Sequence, residues 1–136
     1  MEPDRVTLVR ADELTDAAPY AYAALPPAGA RLVFTAGACP LDETGATVAP
    51  GDVAAQAEQV MANLHTALRA AGADLGDVLK STVYVATQRR DDLVVAWEVV
   101  RRHLGDHDAP STLLGVTVLG YPDQLVEVEA VAVLPR

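Results

Sequence analysis

The sequence predicts an α+β fold, a two-layer sandwich with two helices on one face of a mixed sheet, and three observations predict it. Two segments repeat apolar residues with the helical period, and six others read as strands from alternation or β-branched content. Their order along the chain is β-β-β-α-β-α-β-β, which places both helices between strands of one sheet. The third observation is size. The 136 residues, 51% hydrophobic and 21% charged, suffice for one packed core and leave no room for a second, so residues 1–136 form a single domain.

The elements follow in order. Val6-Thr7-Leu8-Val9, Tyr20-Ala21-Tyr22-Ala23 and Arg31-Leu32-Val33-Phe34-Thr35 read as three short strands forming an opening meander, the last two joined across Pro26-Pro27-Ala28-Gly29. After turns at Gly45 and Pro50-Gly51, Asp52 caps a helix whose apolar positions Val53, Ala57, Val60, Met61, Leu64, Leu68 and Ala71 share a face, and Gly72 stops it. Val78 to Ala86, with Thr82-Val83-Tyr84-Val85 alternating, is a strand reached by a crossover. A second helix runs from about Asp91 to Leu104, with Leu93, Val94, Trp97, Val100 and Leu104 on its apolar face and Gly105 at its end. Thr112 to Leu119 and Gln124 to Leu134 close the chain as two strands around the turn Gly120-Tyr121-Pro122-Asp123. These last strands carry apolar residues at both parities, among them Leu113, Leu114, Val126, Val128 and Val131, which predicts a second apolar sheet face covered by copies of the same chain.

Charge and composition exclude several functions. Ten Lys plus Arg against nineteen Asp plus Glu give a net charge of -9 without a clustered basic patch, which opposes nucleic acid as a partner. No apolar run reaches bilayer length, and the start Met1-Glu2-Pro3-Asp4-Arg5 carries acid where a leader peptide carries base, so a cytoplasmic protein with no membrane partner is expected. One cysteine, Cys39, rules out an intrachain disulfide. With three scattered histidines it offers no zinc spacing, so neither metal nor cofactor is expected.

Seven segments, in order, resemble the RidA/YjgF (Rid) family: Pro19-Tyr20, Val33 to Gly37, Asp42 to Gly45, Asp52 to Gln56 with Asn63-Leu64, Asp77 to Lys80, Thr82 to Val85, and Val126 to Ala132. The resemblance runs from about Ala18 to Leu134 and implies a chorismate-mutase-like α+β fold, assembled as a homotrimer with small-molecule clefts between neighbours. Active members of that family hydrolyse reactive enamines and imines of amino acids, releasing ammonia and a keto acid. The resemblance implies a pocket built from a tyrosine, a Ser-Gly step, a helix asparagine, an arginine in a Pro-Ala-Arg-Ser/Thr segment and a late glutamate. Tyr20, Gly37 and Glu127 match those positions, whereas Ala36 stands at the serine, Val94 at the asparagine and Ser111, before Thr112, at the arginine.

Arginine suits a substrate carboxylate because its planar fork donates two parallel hydrogen bonds. Serine offers one donor and no charge, so ordinary imino-acid deamination is disfavoured here. Arg31, Arg89 and Arg102 are the conceivable substitutes, but exposed helix or turn arginines are mostly solvated, which opposes rescue. Glu127 lies within an apolar strand, where it serves either as general acid or base in a wet cleft or as half of an intersubunit ion pair. Glu129 shares its strand face, which permits coupled titration of the two.

Tyr20 either lines a pocket or caps a sheet edge, and Gly37 either lets a ligand approach the Gly37 and Ala38 amides or only makes a turn. Cys39 reads as a nucleophile or, more ordinarily, as a small buried hydrophobe. Three functions follow. The first is a Rid-type protein with an altered pocket that binds a small neutral or weakly anionic metabolite and uses Glu127 for hydrolysis or proton transfer. The second is an enamine/imine deaminase, and the third a trimeric binding or scaffold protein without chemistry. Endoribonuclease activity, also attached to this family, is opposed by the charge.

Overall fold

The computed structural model describes residues 5–135; the acidic start Met1–Asp4, read above against a leader peptide, lies outside the described residues. Nine elements follow one another: β1 (Thr7–Val9), β2 (Ala23–Leu25), β3 (Arg31–Phe34), α1 (Val53–Ala71), a single 3₁₀ turn (Leu75–Asp77), β4 (Val78–Ala86), α2 (Arg90–Leu104), β5 (Ser111–Val116) and β6 (Val126–Leu134). The main sheet has the order β3-β6-β4-β5. In it β6 runs antiparallel to both β3 and β4, while β4 and β5 are parallel. This is the α+β sandwich with a mixed sheet that the element order predicts.

Helix α1 starts and stops where its sequence says it must. Asp52 Oδ1 accepts from the Ala55 N–H at 2.9 Å, satisfying one of the unpaired amides of the first turn. At the other end Gly72 takes a left-handed φ of 98°, with its N–H on Arg69 O and the Ala73 N–H on Leu68 O. That six-to-one and five-to-two pair is a Schellman stop, which glycine adopts without strain. Helix α2 begins without a side-chain cap at Arg89, but Asp91 and Asp92 in its first turn and Arg101, Arg102 and His103 in its last complement the helix dipole.

Both helices pack on the same side of the sheet. Val60, Met61, Leu64 and Leu68 of α1 and Ala96, Val100 and Leu104 of α2 bury against Val83, Val85, Val126, Val128, Ala130 and Ala132. Gln56, fully buried on α1, ties the core to the loop before β6: its amide donates to Asp123 O (2.9 Å) and Ala49 O (3.3 Å) and accepts from the Leu125 N–H (2.7 Å).

Three expectations are corrected. The opening strands do not form a meander: β1 and β2 make a separate two-stranded sheet, and β3 pairs with β6. The Ala21 N–H is committed to Asp108 O, which holds Tyr20–Tyr22 outside the strand and delays β2 to Ala23, and the donorless Pro26-Pro27 step separates β2 from β3. The final strands are also shorter than predicted, because Gln124 captures the Tyr121 N–H with its side chain and Asp123 adopts φ 62°.

The third correction concerns the sheet face away from the helices. The apolar residues of β6 at one parity, Val126, Val128, Ala130 and Ala132, all face the core, so the outer face carries Glu127 and Glu129 at its centre beside Lys80, Thr82 and Tyr84 of β4. Apolar surface remains at β3, where Leu32 is 45% and Phe34 73% exposed. The outer face is therefore mixed, with an apolar edge.

Candidate functional site

Glu127 sits on the outer face opposite Tyr84 in the β4–β6 register. The chain segment before it in space is Ala36 to Leu41, stitched to β6 by the reciprocal bridge Ala38 N–H to Val128 O (2.7 Å) and Val128 N–H to Ala38 O (3.2 Å). Asn63 of α1 fixes the other end of that segment, donating to both Cys39 O and Leu41 O at 2.9 Å while Gln59 donates to its Oδ1. The helix thus holds the loop, and the loop holds the glutamate.

Glu127 Oε1 accepts from Gln124 Nε2 at 3.0 Å and from Cys39 Sγ at 3.5 Å. The other oxygen, Oε2, lies over Gly37, where an added Cβ would stand 2.0 Å from it. The glycine at this position therefore makes room for the carboxylate itself. The Ala38 amide is committed to Val128, so the predicted pair of amides for a ligand oxygen is reduced: Ala38 is a β-bridge residue. Burial raises the Cys39 thiol above its usual value, and the charge and hydrogen bond of Glu127 raise it further. A raised thiol is a poor nucleophile at neutral pH, which leaves Cys39 as a donor to Glu127.

Beyond Tyr84 lies Glu129, whose Oε1 accepts from the Tyr84 hydroxyl at 2.5 Å. The Tyr84 phenol is pushed up by that hydrogen bond first, then by burial and by the charges of Glu129 and Glu127. Tyr84 was read from sequence only as a strand residue. Its outward parity between two glutamates was the available signal.

Tyr20 belongs to a different cleft. With Pro19, Trp97, Ser111, Thr112 and Leu113 it lines a space of about 570 Å³, and its ring meets Trp97 edge to face at a centroid distance of 6.3 Å. Trp97, read from sequence as core, is a wall of this cleft. Ser111 shares a 2.5 Å hydrogen bond with the buried Ser81 hydroxyl and donates to Ala109 O at 3.1 Å. Thr112 accepts from Lys80 Nζ at 2.6 Å, a cation absent from the substitutes considered by sequence. Of those substitutes, Arg102 is bound to Glu58 at 2.5 Å, Arg89 precedes α2 and Arg31 is exposed on β3. Val94 is 49% exposed on α2 and is not among the residues lining this cleft, and Ala36 is exposed beside Gly37, so these two positions contribute no polar group.

One chain does not bring Glu127 and Ser111 together. They sit on β6 and β5 with β4 between them, and Ser111 is level with Ala130 through Ser81. Two strand spacings and three residues along the strand put them about 14 Å apart. Ser111 also faces the helix layer, whereas Glu127 faces away from it.

An α+β chain of this topology, with two helices on one face of a β3-β6-β4-β5 mixed sheet, has the fold of the proteins the seven segments resemble. A family model described as Endoribonuclease L-PSP matches residues 11–134. A 2-iminobutanoate/2-iminopropanoate deaminase of Escherichia coli K12 is 33% identical over 105 residues, covering 76% of this chain and 80% of the relative. A RutC family protein of Pyrococcus horikoshii is 33% identical over 102 residues, covering 75% and 79%. Among solved structures, a conserved Rid-family protein of Yersinia pestis matches with a TM-score of 0.85 at 28% identity over 96% of this chain and 99% of that one. Escherichia coli TdcF with bound serine matches at 0.65 and 28%, over 98% and 95%. The chain belongs to the Rid/YjgF family.

Proposed function

We propose that this chain works as a homotrimer that binds a small neutral or weakly anionic metabolite in clefts between subunits, and that Glu127 transfers a proton in a hydrolytic or tautomerising step. The observation that carries this reading is the contrast between two positions. Glu127 has one oxygen tied down and one open above Gly37, whereas the position facing a substrate carboxylate by resemblance is the neutral, already paired Ser111. The separation of the two within one chain favours a site completed by a neighbour, with the apolar β3 edge as contact surface.

Losing a charged partner for a carboxylate weakens binding by roughly 2 to 5 kcal/mol. The guest preferred by such a pocket is an imine, enamine or enol without a carboxylate at that point. The second reading, an ordinary imine deaminase, is favoured by the 33% identity to the Escherichia coli deaminase. Nucleic acid cleavage is opposed by the net charge of -9.

The test is ammonia release from freshly generated imines, with and without an α-carboxylate, by wild type and Glu127→Gln. Removing a general acid–base group is expected to lower the accelerated rate about 10²- to 10⁴-fold. An unchanged rate in Glu127→Gln rejects the role given to Glu127, and binding of these compounds without any turnover supports the non-catalytic scaffold instead.

A further inference from the structure

The proton-transfer reading leaves open which carboxylate oxygen does the work, and the groups around Glu127 discriminate between the two. Gln124 is 4% exposed and its amide is fully committed. Its Oε1 accepts from the Tyr121 N–H at 3.0 Å, and its Nε2 donates to Val126 O at 3.1 Å and to Glu127 Oε1 at 3.0 Å. A backbone N–H only donates, so the Tyr121 contact fixes the amide orientation, and the NH₂ must face Glu127. That NH₂ has two hydrogens and here two acceptors, and it has no capacity to accept. The Cys39 thiol also approaches Oε1, as a donor, at 3.5 Å. No described residue donates a hydrogen bond to Oε2, which lies where a Gly37 side chain would otherwise be.

We propose that Gln124 is the positioning residue of Glu127: it clamps Oε1 as a permanent acceptor, so that Oε2 is the oxygen that takes up and delivers the proton. Oε1 already accepts from Gln124 and Cys39, so a proton there must displace one of these donors, whereas a proton on Oε2 displaces none. The two acids of this face thus have separate hydrogen-bond partners, Gln124 for Glu127 and Tyr84 for Glu129. This refines the Glu127 reading above and rests on it for its catalytic meaning.

Its test uses no substrate, so failure of the clamp and failure of catalysis are separable. Cys39 alkylation by iodoacetamide reports the neighbouring carboxylate, because Glu127 holds the thiol up by charge and by hydrogen bond. In a double-mutant cycle, Glu127→Gln is expected to speed alkylation several-fold at pH 7 to 8 in the wild-type background. In the Gln124→Met background the same change is expected to have little effect, because the released carboxylate has already left the thiol. An equal acceleration in both backgrounds overturns the proposal. If Gln124→Met does not fold, the Gln124 side-chain amide is followed by NMR in the intact protein and in Glu127→Gln. The clamp predicts that its signals respond to pH in the wild type and lose that response in the variant; a response unaltered by Glu127→Gln overturns it.

Discussion

At the scale of single residues, the glutamate and the glycine form one unit. Gly37 matches its family position, and sequence reasoning assigned its missing side chain to ligand approach, but the nearest atoms to a built Cβ are Glu127 Oε2 at 2.0 Å, Cδ at 2.6 Å and Cγ at 2.8 Å. A side chain here must displace the carboxylate, and because the displaced group ends in a flexible side chain, the fold survives the move. Gly37→Ala is therefore expected to keep its melting temperature close to wild type while losing about 100-fold in any Glu127-dependent rate, the scale on which a misplacement of about 1 Å acts. Parallel melting and kinetic measurements check this; a fall in both together would assign Gly37 to the backbone instead. Glu127, Tyr20 and Ser111 stand out in the sequence, but the fold places Glu127 apart from the cleft that Tyr20 and Ser111 line. Gln124 beside Glu127 and Trp97 beside Tyr20 were not legible in this way, since a glutamine in a turn and a tryptophan on an apolar helix face carry no signal of these neighbours.

At the scale of elements, the helices were legible because their ends are written in local chemistry. The Asp52 cap and the Gly72 stop are each formed by atoms within five residues in sequence, so no tertiary knowledge is needed to place α1. The strands were less so: β2 is delayed by a contact with Asp108, and the partner of β3 is almost a hundred residues away in β6. Between α1 and α2, Glu58 receives Arg102 at 2.5 Å and His103 at 2.8 Å. The hydrogen bond from His103 is the largest influence lowering the Glu58 carboxyl, with the charges of Arg102 and His103 adding to it. With the folded carboxyl titrating below its usual 4.5, the bridge contributes fully above that pH and fades as the pH falls through the lower folded value. Glu58→Gln is expected to destabilise by no more than about 1 kcal/mol at pH 7, since the pair is largely exposed. Denaturation at pH 7 and again near pH 3 checks it, with the difference from wild type shrinking at the acid end.

At the scale of the whole molecule, the reason the sequence offered for association is only half correct. The outer face is not uniformly apolar: alternation in β6 gives every other position to the core and leaves two glutamates outside. Exposed apolar side chains lie at the β3 edge, at Leu32 and Phe34, and also beyond β5 at Val118. Phe34→Asp is accordingly expected to turn a trimer into a monomer in sedimentation equilibrium; a wild type that is already monomeric would remove the neighbour from the site. In the proposed trimer, neighbouring chains would join the two halves that one chain keeps about 14 Å apart across β4, offering a substrate an acid at Glu127 with no arginine at Ser111. That pairing of a retained acid with a neutral recognition position is most directly tested by one ratio, kcat/KM for an α-imino amide over kcat/KM for the matching α-imino carboxylate, measured as ammonia release. The account predicts a ratio well above one, with the amide preferred. A ratio well below one would contradict it and return the chain to the imino-acid deaminases it resembles.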